Sequence, residues 1–212
     1  MTRTTALLLS LATLALWAFF RIADLTLAGQ AETWNITVMQ QMPAWQAAWL
    51  NPLVIGLTQC GSVLGLTVGG LLTVTLLVRH GHRHDAGLVG LLLIGTAVWT
   101  FGLKAVYLHP RPQVFLPLVT ETGYSFPSGH ALAGWSFFGY LTIWSLAHDR
   151  HVSATAAGLM ALALPLSRLY LGVHWPTDVL AGICVGTTWL CLCLALRLHL
   201  ITLAQTVNPS TD

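Results

Sequence analysis

The sequence predicts an all-α integral membrane protein with six transmembrane helices and a further helix lying along the membrane surface in the first outer connection. Three observations carry that prediction. Of the 212 residues, 55% are hydrophobic and only 8% charged, against roughly 25% charged in ordinary soluble domains. Mean hydropathy is +0.72, so lipid must act as solvent for much of the chain. Apolar stretches of about the ~20 residues that a helix needs to cross the hydrocarbon core recur along it. A formal net charge of only +2 gives no support for nucleic-acid binding.

The elements follow in order. Arg3 precedes an apolar run that reads as a first span over 6–27. A cleaved signal peptide would fit its start, but the apolar character continues past Phe20 and "LTLAGQA" matches a cleavage region weakly. An uncleaved span is therefore expected, with Arg21 and Asp24 as a local ion pair three residues apart. The connection "AETWNITVMQQMPAWQAAWLNP" carries Trp34, Trp45 and Trp49. Tryptophan favours the headgroup boundary, hence the interfacial helix.

The second span, 52–78, contains Gly61, Gly65, Gly69 and Gly70, a sign of close helix packing. Further spans are expected over 86–108, 129–147, 152–171 and 177–198, all within one domain covering 1–212. "RHGHRHD", with His80, His82 and His84, reads as a short solvated loop rather than a metal site. Cys60, Cys184, Cys191 and Cys193 sit in apolar stretches without zinc or disulfide spacing, and read as small hydrophobes.

Basic residues set the expected orientation. Arg3, Arg79, Arg83, Arg150 and Arg197 fall at one set of span ends, which places both termini in the cytoplasm. Lys104, Arg111 and Arg168 fall at the opposite, outer ends, against the usual bias.

Those outer cations belong to three clusters. "KAVYLHPRP" holds Lys104, Arg111 and Pro112, with His109 between them as a loop residue. "PSGH", residues 127–130, opens the fourth span. There Ser128 can cap the helix, Gly129 lets an anion approach the backbone, and the first N–H groups point outward unpaired. "SRLYLGVHWPTD" holds Ser167, Arg168, His174 and Asp178, with Pro176 suited to a first helical turn. A carboxylate four residues from an imidazole can fix its tautomer. Singly, each cluster also reads as ordinary: a snorkelling lysine, a helix cap, a surface ion pair. The alternating topology brings all three to one side at one depth, where ionisable residues are costly and usually functional.

These residues resemble the three-part signature of the type 2 phosphatidic acid phosphatase superfamily, K-x6-R-P, P-S-G-H and S-R-x5-H-x3-D. The pattern is met by Lys104 to Arg111-Pro112, Pro127 to His130, and Ser167-Arg168 to His174 to Asp178. The resemblance implies hydrolysis of a lipid phosphate or diphosphate through a phosphohistidine, with His174 as nucleophile and Asp178 orienting it. His130 would then serve as acid and base. It also implies phosphate binding by Lys104, Arg111, Ser128, Gly129 and Arg168. Pro112, Pro127 and Ser167 would stand behind them, with neither metal nor cofactor. The expected partners are lipid phosphates and membrane lipids. Protein partners are not legible.

Bacterial undecaprenyl-diphosphate phosphatases and phosphatidylglycerophosphate phosphatases are the nearest types. The short outer loops favour the former, with phosphatidic acid and lipid A phosphates as further alternatives. A bacterial inner membrane with the site facing the periplasm is expected. Two rivals stand beside hydrolysis: a lipid phosphotransferase, which the motifs do not distinguish, and a transporter, which would place its polar breaks nearer the midplane.

Overall fold

The computed structural model describes residues 2–207. Among the described residues there are eight α-helices: α1 (Arg3–Leu27), α2 (Glu32–Gln41), α3 (Asn51–Gln59), α4 (Val63–Arg79), α5 (Arg83–Tyr107), α6 (Gly129–Leu146), α7 (His151–Tyr170) and α8 (Pro176–Val207). A 3₁₀ turn, Met42–Trp45, follows α2. All-α membrane architecture is therefore as expected, while the six spans are met only in part. Among the described residues, α1, α5, α7 and α8 are each long and apolar enough to cross a membrane, and α3 with α4 makes a fifth candidate bent by 56°.

The expected continuous second span breaks because Ser62 adopts an extended conformation and caps α4, its hydroxyl accepting from the Gly65 amide at 3.1 Å. The bend is tight: a Cβ on Gly65 would lie 2.0 Å from the Gln59 carbonyl oxygen. Helix α6, the expected fourth span, is not among these candidates and is the central helix of the bundle. It packs against α5, α7 and α8, and its Ser136, Tyr140 and Ser145 are buried among them rather than facing lipid.

Along the seam between α6 and α8 the two backbones approach closely. Ser128, Leu132 and Ser136 on one helix meet Asp178, Gly182 and Gly186 on the other, both at four-residue intervals. The Ser128 amide donates to the Asp178 carbonyl at 3.0 Å. Ser136 Oγ lies 3.2 Å from the Gly186 carbonyl oxygen. A Cβ on Gly182 would come within 2.6 Å of the Ser128 carbonyl oxygen, and one on Gly186 within 2.8 Å of that of Leu132. Small residues four apart allow this backbone approach.

Helix α1 packs along α8. Helix α2 is tied to the start of α8 by Asn35, whose Nδ2 donates to Thr177 Oγ1 at 3.0 Å and whose Oδ1 accepts from the Thr177 amide at 3.2 Å. Trp34, Trp45 and Trp49 are exposed around that segment, as an interfacial helix requires. The opposite end of the bundle is pinned by Asp85, buried on α5, which accepts from Tyr140, Trp144 and Arg197. Arg21 and Asp24 form the expected local pair at 3.6 Å, and all four cysteines are free thiols.

Candidate active site

The ends of α5, α6, α7 and α8 that carry the three clusters meet at one end of the bundle, joined by the break between α3 and α4 and by the loop 108–128. His174 and Asp178 are at the centre, 2% and 0% exposed. Helix α8 begins at Pro176, so His174 lies in the preceding loop rather than on the helix face. The pair forms nonetheless, because Asp178 in the first turn reaches back: its Oδ2 accepts from the Trp175 amide at 2.8 Å and from His174 Nδ1 at 3.2 Å. Arg111 Nη1 lies 3.3 Å from His174 Nε2. A guanidinium only donates, so Nε2 presents its lone pair and Nδ1 carries the proton. Burial, then the charges of Arg168, Arg111 and Lys104, hold this imidazole well below its ordinary 6.5 and keep it neutral.

Arg168, 1% exposed, is held from two sides. Its Nη1 donates to Thr58 Oγ1 at 2.7 Å, and its Nη2 donates to the Glu121 carboxylate. Its Nε is a buried donor without an acceptor, available to an incoming oxygen. Ser167 stands behind it, its hydroxyl between the Leu164 carbonyl oxygen at 2.7 Å and Thr58 Oγ1 at 3.2 Å.

Arg111 donates to the carbonyls of Gly123, Thr122 and Val173 at 3.1, 3.0 and 2.9 Å, and its Nη2 is 3.8 Å from Glu121 Oε2. Lys104 donates to the Tyr124 carbonyl. Residues 121–124 are thus strapped across all three phosphate-site cations.

Ser128 caps α6, its hydroxyl 3.4 Å from the Ala131 amide. Its own amide serves the Asp178 carbonyl, so the anion seat read from "PSGH" falls to the amides after it. Gly129 is required by packing as well: a Cβ there would lie 2.7 Å from Thr100 Cγ2. His130 lies against the α3–α4 break, its Cδ2 3.0 Å from where a Gly61 Cβ would stand. It is within electrostatic range of Arg168, Glu121, Lys104 and Arg111. Pro112 and Pro127 are buried beneath these loops.

The structure therefore brings together every site residue read from the sequence. It adds Glu121 and Thr58, which sequence reasoning missed, and it moves His109 from an ordinary loop position to the side of Asp178, 3.8 Å away. Glu121, seven residues before Ser128, is an acidic residue in an otherwise apolar outer loop, and that isolation was the signal available for it. Thr58 offered none.

Residues 85–201 match the model of the PAP2 superfamily. The chain is 32% identical to phosphatidylglycerophosphatase B of Bacillus subtilis over 149 residues, 65% of this chain and 70% of the relative. It is 33% identical to a putative undecaprenyl-diphosphatase of Escherichia coli over 135 residues, 57% of this chain and 62% of the relative. The crystal structure of a PAP2-type phosphatidylglycerolphosphate phosphatase from B. subtilis superposes with a TM-score of 0.81 at 23% identity, over 89% of this chain and 96% of that one.

Proposed function

Because this chain belongs to the PAP2 superfamily and is one of its metal-independent lipid phosphatases, we propose that it removes the terminal phosphate of a membrane lipid phosphate at the outer membrane boundary. His174 Nε2 attacks phosphorus while Asp178 holds Nδ1–H and balances the charge that develops on the ring. Arg111, Arg168 and Lys104, with the first amides of α6, take the phosphate oxygens as charge spreads over them. His130, after taking up a proton that the incoming phosphate carries, protonates the leaving oxygen, and as the neutral imidazole it then takes a proton from the water that cleaves the phosphohistidine. The observation that carries this reading is the buried His174–Asp178 pair, with its free lone pair facing Arg111.

A lipid substrate is supported by an apolar cleft of about 280 Å³ at the start of α8, lined by Trp34, Trp135, Leu162, Leu169, Val179 and Ile183. It offers a seat for hydrocarbon beside the polar site. The cluster of Arg79, Arg83, Arg150 and Arg197 at the other end supports an outward-facing site. Undecaprenyl diphosphate is the first substrate reading. Phosphatidylglycerophosphate is the second, favoured by the name of the B. subtilis relative and by loop 108–128, which walls the site enough to hold a glycerol headgroup.

The test is a phosphate-release panel of undecaprenyl diphosphate, phosphatidylglycerophosphate and phosphatidic acid in one detergent, run on wild type and His174→Ala. Wild type should release phosphate without an acceptor lipid, which separates hydrolysis from phosphotransfer, and the folded variant should release none. Turnover by His174→Ala would remove the nucleophile assigned here.

A further inference from the structure

Asp178 presents only one of its two carboxylate oxygens to the nucleophile. Oδ2 takes His174 and the Trp175 amide, while Oδ1 is fully buried with no hydrogen bond of normal length. A buried carboxylate oxygen left without a donor is costly, and it leaves the carboxylate free to rotate away from its imidazole partner. His109 Nδ1 lies 3.8 Å from Oδ1, packed against it rather than hydrogen-bonded to it. Ser125, itself fully buried, lies at the same place and faces the carboxylate.

His109 and Ser125 are locked to each other. The Ser125 amide donates to the His109 carbonyl at 2.8 Å, His109 Nδ1 is 3.1 Å from Ser125 Oγ, and that hydroxyl lies 2.8 Å from the Pro110 carbonyl oxygen. The His109 ring edge also meets Phe126, so the imidazole has little freedom to leave. Burial lowers its pKa, and the Nδ1 of the neutral ring is engaged with Ser125 Oγ, so the two side chains are held together against the carboxylate.

We propose that His109 is a positioning residue for the reaction, holding the Oδ1 side of Asp178 from the face opposite His174. The carboxylate then stands between two imidazoles: one attacks phosphorus, while the other, with Ser125, prevents the carboxylate from turning. His109 itself touches neither phosphate nor water. Its loss should therefore slow the chemical step and leave lipid binding alone.

The role rests on the phosphatase reading above, and the experiment separates the two. Steady-state phosphate release is measured for wild type, His109→Ala and His109→Asn on whichever lipid of the panel is turned over fastest, with thermal melts of each protein. His109→Ala should lose roughly tenfold in kcat at unchanged KM, about 1.4 kcal/mol in the barrier, as the carboxylate gains room to turn. His109→Asn, whose amide nitrogen can stand near the place of Nδ1, should recover to within roughly threefold of wild type. A wild-type protein inactive on every lipid overturns the phosphatase reading and this role with it. An active wild type with an equally active His109→Ala overturns the role alone, as does a change confined to KM. If His109→Ala fails to fold, the asparagine variant decides: activity near wild type supports the role, and a folded but slow protein overturns it.

Discussion

Replacing Gly182 by alanine tests whether the α6–α8 seam sets the geometry of the site. The new Cβ would stand 2.6 Å from the Ser128 carbonyl oxygen, 2.9 Å from Ala131 Cβ and 3.1 Å from the Leu132 nitrogen. Two of these are backbone atoms of a helix and cannot rotate away. Ordinary contact begins at 3.4 Å, so the helices must part by about 0.8 Å at this rung. One turn above it, the Ser128 amide holds the Asp178 carbonyl at 3.0 Å, and the parting would be transmitted to Asp178 and to the His130 end of α6. Overpacking of this kind costs about 1–3 kcal/mol in stability, and a displacement near 1 Å between reacting groups costs on the order of a hundredfold in rate. Gly182→Ala should therefore lower the melting temperature and cut kcat for phosphate release by roughly 10- to 100-fold. Gly90→Ala, where a Cβ meets nothing within 4 Å, is the control and should gain about 0.5–1 kcal/mol of helix stability at full activity. A Gly182→Ala protein with wild-type kcat and melting temperature would refute the reasoning.

Three other outcomes are expected. Thr58→Val removes the acceptor for Arg168 Nη1. It should destabilise the protein by about 1–3 kcal/mol and raise KM, checked by melting and phosphate release. Burial alone would raise the Glu121 carboxyl, but Arg168, with His130 and Arg111, holds it below its ordinary 4.5. A depressed carboxylate stabilises the fold fully above its unfolded value, and that stability is lost as pH falls through the folded value. Between roughly pH 5 and 3, Glu121→Gln should thus lose less melting temperature than wild type; parallel curves would remove the ionic role. Phosphate release should survive EDTA and fall with vanadate, since three cations and two imidazoles supply the chemistry, and strict magnesium dependence would contradict that.

The chemistry was legible because its spacing is local. Lys104 and Arg111 share one segment, as do Ser128 and His130, and Arg168, His174 and Asp178. Alternating spans bring those segments to one end whatever the details of packing. Thr58, Glu121 and His109 were not legible as site residues because each acts across the fold, and nothing in their own neighbourhoods announces a partner. The break at Gly61–Ser62 did carry a signal, a serine able to cap a helix start, but the surrounding hydropathy masked it. Helix α6 reads in the sequence as one more span, and only the structure shows how much of its surface, with Ser136, Ser145 and Tyr140, is turned to protein.

The strap over the cations imposes an electroneutrality condition. Lys104, Arg111 and Arg168 face two carboxylates, Glu121 and Asp178, so with neutral histidines the resting site holds one surplus positive charge. On the phosphatase reading, a phosphate monoanion would balance that charge, and a dianion would compete with Glu121 for Arg168 and Arg111.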